Sequence, residues 1–262
     1  MAGAPTTPER WARFLDQHAP GLTWLAGTLL EWGELPPLAR RAWSVTASTT
    51  RTGEVNALAA FHEESGQLAV AAAPDSQPPF YGEPERVRRL IGSPEAVETV
   101  FVGNPMLIVR RLPGFRRQVF TFDGDGALRH PALRRARPDE WQALETFRAE
   151  SEVEPDPQAL EDLAGPAQRG MVYVLEGEGG VAGMFRVEGV SRQRVQFADA
   201  FVHPRFRGRG LGAALLRSAA HVARAEYARG AVLTFADAEA GVKTAARAGY
   251  TAVGAMEDVR LS

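Results

Sequence analysis

The stretch HPRFRGRGLGAALL, from His203 to Leu216, holds the residues of this chain that are best suited to chemistry. Its three glycines stand at alternate positions, and an alanine-rich apolar segment follows them. A glycine turn that enters a helix exposes backbone N–H groups without intrahelical partners, and the helix dipole adds partial positive charge there. Because glycine has no Cβ, a bulky anion can approach such a backbone closely. The spacing predicts a pyrophosphate site, to which Arg207 and Arg209 would add charge-assisted bonds.

Three other interpretations compete for this stretch. A Walker P-loop requires a glycine, four residues and then Gly-Lys-Ser/Thr, which the stretch lacks. The segment GRGLGA fits the dinucleotide pattern G-x-G-x-x-G/A, but HPRFR separates it from the preceding strand, and too little chain follows for a doubly wound sheet. A helix entrance whose glycines serve only close packing stays open, because isolated glycine motifs are weakly specific.

The residues around this stretch predict the elements that position it. Alternating apolar residues predict a hairpin over 170–190 and a strand over 194–202 that leads into the glycines. The pattern continues as a helix over 211–227, a strand over 231–235, a helix over 240–249 and two final strands. Before the hairpin it predicts a strand, a helix opened by Pro138 and another opened by Asp156-Pro157.

The first half of the chain predicts a similar order of elements. Two helices and three strands are followed by a short helix over 84–92, a strand over 99–103 and a hairpin over 106–122 that turns at Pro113-Gly114. The short, polar segment 123–131 is rich in turn formers and is the predicted boundary. The shared order predicts two similar modules, of which the first is incomplete.

The stretch VHPRFRGRGLGAALL resembles the acyl-CoA-binding motif of the GNAT N-acyltransferase superfamily, Arg/Gln-x-x-Gly-x-Gly/Ala after a strand and a proline-containing loop. Arg207, Gly210 and Gly212 fill those positions, behind Val202 and Pro204. The resemblance implies an α/β (α+β) fold of two GNAT-like modules, each a mixed, mostly antiparallel twisted sheet flanked by helices. Residues 131–262 would form the acyltransferase domain, and residues 1–126 a degenerate copy without the CoA motif.

The resemblance also implies an activity. The protein would transfer an acetyl group from acetyl-CoA, or an acyl group from another acyl-CoA, to the amine of a small molecule or peptide by direct attack. The pantetheine arm would lie along the end of a strand that splays from the next strand, with the pyrophosphate on the glycine turn. The residues implied in cofactor binding are Ala200, Phe201, Val202, Arg207, Gly208, Arg209, Gly210, Leu211, Gly212, Ala213 and Asp237.

Asp199 and His203 are the candidates for the base that deprotonates the amine. Strand alternation places Asp199 with Phe197 and Phe201, an apolar setting that suits a proton-accepting carboxylate. An ion pair of Asp199 with Arg186 or Arg194 is an equally open alternative. His203 has the residue type for base work but also fits a solvated loop position.

The chain departs from the resemblance where a proton donor is needed. The tyrosine that usually protonates the thiolate falls on Ala245, and a frequent asparagine falls on Ala238. Tyr250 is a poor substitute, because an aromatic residue there usually packs in the core. A catalytically weak or inactive acyl-CoA-binding or regulatory protein is therefore the alternative function.

Composition limits the remaining classes. The net charge of -2 gives no field that favours nucleic acid or an anionic membrane. The absence of cysteine excludes disulfides and zinc–thiolate sites. The N-terminus does not resemble a secretory signal and no apolar run reaches about 20 residues, so a cytoplasmic location is expected. We also expect no metal, and a monomer or a homodimer. Eight arginines form a cluster in the sequence, and we interpret them as strand residues beside the domain junction in preference to a nucleic-acid site. They are Arg110, Arg111, Arg116, Arg117, Arg129, Arg134, Arg135 and Arg137.

Overall fold

The computed structural model describes residues 8–31, 42–79, 83–151, 163–236 and 239–262. Within these ranges the α-helices are α1 (Pro8–His18), α2 (Thr23–Leu30), α3 (Pro94–Gly103), α4 (Pro105–Ile108), α5 (Trp141–Ser151), α6 (Ala164–Gln168), α7 (Leu211–Tyr227) and α8 (Glu239–Arg247). The strands are β1 (Trp43–Thr49), β2 (Val55–His62), β3 (Gln67–Ala72), β4 (Arg89–Gly92), β5 (Phe115–Phe122), β6 (Leu133–Arg135), β7 (Val172–Gly177), β8 (Gly180–Val190), β9 (Arg194–Val202), β10 (Gly230–Ala236) and β11 (Thr251–Arg260).

The described strands hydrogen-bond into one sheet with the order β1-β2-β3-β4-β11-β5-β10-β9-β8-β7-β6. The pairing pattern is symmetric about the central antiparallel pair β11–β5. On each side the next pair is antiparallel, the one after it is parallel, and two antiparallel pairs follow. β6 adds one further strand on the C-terminal side alone.

The last strand of each half pairs with the other half. β5 lies between β11 and β10, and β11 lies between β4 and β5. The predicted boundary over 123–131 connects β5 to β6 without regular secondary structure. Division into modules 1–126 and 131–262 stays a prediction, since both halves complete one sheet.

Helices cover both faces of this sheet because its strands carry apolar side chains on both. The face of Phe120, Phe185 and Phe197 packs against α7 and α8, and farther along the same face α3 covers β3 and β4. The opposite face carries Val119 and Val232 beneath α1 and α2, with α5 and α6 covering β7 and β8. No helix of the described ranges is both long and apolar enough to cross a bilayer.

α2 ties the N-terminal half to the strands of the C-terminal half. A Cβ added to Gly189 of β8 would lie 2.3 Å from Trp24 Cα, and one added to Gly27 would lie 2.6 Å from the Val190 carbonyl oxygen. The Trp24 N–H donates to Gln196 Oε1 at 3.1 Å. Two glycines therefore allow a helix backbone to contact the sheet directly.

Several predicted elements are wrong, most of them in the first half. The segment 84–92 is a 3₁₀ turn followed by β4, instead of a helix. Residues 99–103 belong to α3, and the predicted hairpin over 106–122 contains α4 and only one strand, β5. The two predicted final strands form the single strand β11, which has a register shift at Ala252/Gly254. The predicted helix over 156–163 falls almost entirely outside the described residues.

Candidate functional site

The glycine turn is held open by its backbone conformation. His203 caps the 3₁₀ turn Pro204–Phe206, which delivers the chain to Gly208 with φ of 76° and Gly210 with φ of 79°. Both values lie in the left-handed region that favours glycine. A Cβ added at Gly208 or Gly210 would meet no atom within 4 Å. These two glycines therefore serve the turn's conformation and leave its outer surface open.

Gly212 has a different role. A Cβ at this position would lie 3.0 Å from Thr244 Cγ2. Gly212 is on the first turn of α7 and Thr244 is on α8, so this glycine lets the two helices pack closely. The interpretation of the glycines as packing residues is thus supported for one of the three.

The N–H groups of the turn point to an anion site. Among the described residues, no backbone carbonyl or side chain accepts from the N–H groups of residues 208–213. Gly210 is the N-cap of α7 but has no side chain to satisfy them. A row of unpaired N–H groups at the start of a 17-residue helix is a favourable position for phosphate oxygens.

The arginines of the turn lie close to its backbone and to one ring. Arg207 donates from Nε to the Val202 carbonyl oxygen at 3.0 Å, which ties the turn to the end of β9. The guanidinium groups of Arg209 and Arg205 lie 5.8 and 6.0 Å from the Phe206 ring centroid. Arg207 therefore positions the turn through its side chain.

A cleft opens between the two parallel strands next to this turn. β9 and β10 pair from Arg194↔Gly230 only as far as Phe197↔Leu233. Beyond that point β9 continues to Val202 while paired with β8 alone. On the edge that faces β10, residues 198–202 therefore have no strand partner, and we call them the free segment. The glycine turn begins where this segment ends.

Asp199 lies at a bulge in the free segment. Its φ is 53°, and the register with β8 shifts between Met184↔Phe201 and Arg186↔Ala198. The shift breaks the alternation that placed Asp199 with Phe197 and Phe201. Phe197 packs beneath α7, whereas Phe201 packs beneath α5 on the opposite face.

The Asp199 carboxylate is held by two buried arginines. Its Oδ2 accepts from Arg186 Nε at 2.6 Å and from Arg148 Nη1 at 3.4 Å. The side chains of Asp199, Arg186 and Arg148 are 11%, 8% and 1% exposed. The predicted alternative of an Arg186 ion pair is confirmed, whereas Arg194 pairs with Asp123. A base role for Asp199 would use a carboxylate that already has two cationic partners.

Arg148 is the residue of this cluster that the sequence interpretation missed. Its Nη2 lies 2.9 Å from Glu145 Oε2, at an angle that makes no hydrogen bond, and its Nε has no hydrogen-bond partner in the described structure. Leu144 precedes Arg148 by four residues on the apolar face of α5. The sequence feature that could have identified Arg148 is an arginine on the apolar face of a helix, because a guanidinium at a core position needs a buried carboxylate.

His203 is engaged in the backbone and in α5. Its Nδ1 accepts from the Arg205 N–H at 3.2 Å, and its Nε2 lies 3.6 Å from Glu150 Oε2. The ring centroid is 5.8 Å from that of Phe147. With Nδ1 accepting, the neutral ring carries its hydrogen on Nε2, so His203 must give up its capping bond before it can act as a base.

The position of the usual proton donor is a core position here. Ala245 is fully buried, and Tyr250 is 4% exposed. The Tyr250 hydroxyl donates to the Leu216 carbonyl oxygen at 3.0 Å, and burial raises the pKa of this phenol. The structure confirms that Tyr250 packs in the core. Asp237 and Ala238 lie outside the described residues.

The arginine cluster is mostly engaged within the chain. Arg110 binds three backbone carbonyl oxygens, and Arg117 lies 3.4 Å from the buried carboxylate of Asp258. Arg134 binds Glu140 at 2.8 Å. This contact, together with the hydrogen bond that Glu140 accepts from the Arg137 N–H, lowers the pKa of Glu140 to about 2. These contacts join strands and turns on both sides of the boundary, as expected of structural arginines.

A cavity away from the glycine turn lies in the N-terminal half. It has a volume of about 760 Å³ and lies where β3 and β4 end, between α1 and the start of α3. No group of three or more metal-ligating side chains is found in the described part of the chain. The unpaired N–H groups and the strand cleft, and not the cavity, therefore define the candidate site.

Comparisons with known proteins agree with this geometry. Residues 133–254 match the sequence model described as the Acetyltransferase (GNAT) family. No curated protein sequence matches the chain significantly. The chain is similar to a solved Drosophila protein with a TM-score of 0.66 and 12% identity, over 99% of this chain and 98% of that one.

Two further solved structures are GCN5-related N-acetyltransferases. The one from Sphaerobacter thermophilus has a TM-score of 0.55 and 16% identity, over 99% of this chain and 94% of that one. The one from Kribbella flavida has a TM-score of 0.55 and 13% identity, over 98% and 96%. At these identities the likeness establishes the fold, which recurs over nearly the whole chain. The predicted fold class is confirmed.

Proposed function

Because the chain belongs to the GNAT superfamily through the domain at residues 133–254, we propose that it transfers an acetyl group from acetyl-CoA to the amine of a small molecule or peptide. The single observation that carries the proposal is the open glycine turn at the end of a splayed strand. The symmetric pairing pattern supports two modules, 1–126 and 131–262, of which the second holds the motif.

The residues of the turn fit the donor. Acetyl-CoA ends in a pyrophosphate-linked nucleotide, and the N–H groups of residues 208–213 are free to receive those phosphates. A side chain at Gly208 or Gly210 would occupy the space that the anion needs. The edge of β9 that β10 leaves unpaired at Ala200, Phe201 and Val202 would offer strand-like hydrogen bonds to the amides of an extended pantetheine arm, beside the Val202 carbonyl oxygen that accepts from Arg207 Nε.

The chain's part in the reaction is to position the reactants. Acetyl-CoA supplies an activated thioester, whose carbonyl carbon an amine attacks as the thiolate leaves. A backbone N–H of the free segment would polarise that carbonyl, as a preorganised donor does for developing negative charge. Asp199 lies at the bulge of this segment and is our candidate base for the amine proton, with His203 as the second candidate.

Titration calorimetry with acetyl-CoA tests the proposal directly. We expect saturable binding by the wild-type protein and at least about tenfold weaker binding by Gly210→Ala, because a Cβ there meets the ligand. Gly179→Ala is the matched control, since Gly179 also has a positive φ of 83° and no neighbour within 4 Å of its Cβ. No binding by the wild type, or equal loss in both variants, would contradict the proposal.

A non-catalytic acyl-CoA-binding protein is the second candidate function. Ala245 at the usual donor position and the ion-paired state of Asp199 favour it. Release of free CoA thiol in a panel of amines distinguishes the two functions. Turnover with any amine excludes the second candidate, whereas tight binding without turnover across the panel supports it.

A further inference from the structure

The cavity of about 760 Å³ in the N-terminal half has the size of a small-molecule site. Such sites are clefts of about 300–1,000 Å³ with apolar walls and a few polar groups. This cavity lies at the carboxyl ends of β3 and β4, which are parallel from Gln67↔Arg89 to Val70↔Gly92. β9 and β10 are parallel in the same way in the other half. The cavity is therefore the N-terminal counterpart of the strand cleft.

The connection between β3 and β4 makes this counterpart unsuited to a pyrophosphate. The 17-residue helix α7 connects β9 to β10, whereas the described part of the β3–β4 connection has the 3₁₀ turn Pro84–Arg86 as its one helical element. After β3 the chain bends, and the Ser76 N–H donates to the Ala73 carbonyl oxygen at 3.1 Å. The bend holds Asp75, with a left-handed φ of 62°, on the cavity wall. A carboxylate at this place would repel phosphate.

Three charged side chains on the wall have opposite signs and form no ion pair. Arg116 is on β5, Glu95 is in the first turn of α3, and Asp75 is in the bend. All three are exposed, and none has an oppositely charged group within 4 Å among the described residues. A guanidinium and two carboxylates thus share one cavity without pairing with each other. They are available to a ligand that carries both signs of charge.

The remaining wall suits an aliphatic group. Leu22, Val119 and Met256 line the cavity and belong to the core beneath α1 and α2. Gln118 also lines it, half-buried on the central strand β5, and its side-chain amide has no hydrogen-bond partner in the described chain. An amide in this state offers a ligand both a donor and an acceptor.

We propose that this cavity binds a zwitterionic amino acid with an aliphatic side chain, or a short peptide of such residues with free termini. Arg116 would bind the carboxylate, because a guanidinium can donate two parallel hydrogen bonds to it. Glu95 or Asp75 would bind the ammonium group. The aliphatic side chain would lie against Val119 and Met256, where it is removed from water.

A ligand in this cavity would contact the strand that supports the cleft of the other half. β4 and β5 run in the same direction and β10 runs against β5, so the carboxyl ends of the two parallel pairs face opposite edges of the sheet. The cavity is thus a second site, distinct from the glycine turn. It touches β5 at Arg116, Gln118 and Val119, and β5 pairs with β10 from Arg117 onward.

Titration calorimetry of the full chain with leucine, valine, methionine and the dipeptide leucyl-leucine tests the proposal. We expect saturable binding of at least one of them, and the tighter of the free amino acid and the dipeptide identifies the source. The amide of that ligand lacks the carboxylate, and its deaminated acid lacks the ammonium group. Each analogue should bind at least about tenfold more weakly, because one charged contact is lost.

Arg116→Gln locates the ligand in the cavity and should raise its dissociation constant about tenfold or more. Arg51→Gln is the matched control, since Arg51 is also exposed and does not line the cavity. Both variants should keep the melting temperature of the wild type. No binding of any ligand, equal binding of the singly charged analogues, or equal affinities of the two variants would each overturn the proposal. The titrations contain no acetyl-CoA, so their outcome is independent of the proposed function.

Discussion

Asp199→Asn probes the most unusual feature of the cleft, a strained strand residue held by two buried guanidinium groups. The substitution keeps the size of the side chain and removes its charge. Arg186 and Arg148 are then left in a site where they are 8% and 1% exposed. Breaking a buried ion pair by removing one partner costs about 3–5 kcal/mol.

We expect the free energy of unfolding to fall by about 3 kcal/mol, near the lower limit, because the Asn oxygen still accepts from Arg186 Nε. For a chain of this size that corresponds to a decrease in melting temperature of about 6–12 °C. Urea denaturation measures the effect. Asp123→Asn is the control, since the Asp123–Arg194 pair is 3.0 Å long but Asp123 is 62% exposed, and exposed pairs contribute about 1 kcal/mol or less.

The same variant separates two roles of Asp199 in turnover. As a base it would supply about 100-fold or more, and its loss would lower kcat while the affinity for acetyl-CoA is kept. As an anchor of the bulge, its loss would lower the affinity for acetyl-CoA together with kcat, because the bulge shapes the strand edge beside the glycine turn. Unchanged turnover would remove Asp199 from the mechanism, and a loss of stability below about 1 kcal/mol would refute the ion-pair reasoning.

Two further predictions test the packing and the electrostatics of the fold. Gly189→Ala should lower the free energy of unfolding by about 3 kcal/mol, because the new Cβ would lie 2.3 Å from Trp24 Cα; Gly103→Ala, whose Cβ has no neighbour within 4 Å, should be nearly neutral in the same urea titration. Glu140→Gln should be less stable than the wild type at pH 7 by about 1–2 kcal/mol, since Arg134 lowers the pKa of Glu140 to about 2. A lowered carboxyl pKa stabilises above the ordinary value of 4.5, so this difference should vanish as the pH falls from 4.5 towards 2; a difference that is constant over that range would contradict the assignment.

The sequence predicted the elements around the glycine turn to the residue. β9 over 194–202 and α7 over 211–227 have the bounds that alternation and the glycine entrance indicated. Both elements are long and strongly periodic, and their ends carry unambiguous signals. The left-handed conformations of Gly208 and Gly210 are compatible with their residue type, because few other residues adopt such φ values.

The short apolar runs of the first half could not be assigned in the same way. The run TVFVG fits a buried strand and a buried helix equally well. Its helical state is set upstream, where Ser93 accepts from the Ala96 N–H and Pro94 occupies the first turn. That capping signal is present in the sequence and was the better guide. β4, by contrast, has four residues and owes its state to its neighbours β3 and β11.

The bulge at Asp199 depends on tertiary structure alone. A register shift arises when one strand must stay paired with β8 while it leaves β10. Aspartate tolerates the left-handed conformation better than most residues, but its presence does not require it. The ion pair with Arg148 likewise joins residues 51 positions apart, and only the packing of α5 on β9 brings them together.

The pairing of β5 with strands of the C-terminal half has a consequence for the cleft. β10, one wall of the cleft, pairs along its other edge with β5 of the N-terminal half, from Ala231↔Phe122 to Ala236↔Arg117. Without β5 the edge of β10 would lack its hydrogen-bond partners and could not hold a fixed separation from β9. The first half lacks the motif for the donor, yet it supplies the strand that keeps the cleft of the second half in shape. Under the proposed function, substitutions in β5 would therefore act on turnover through the shape of this cleft.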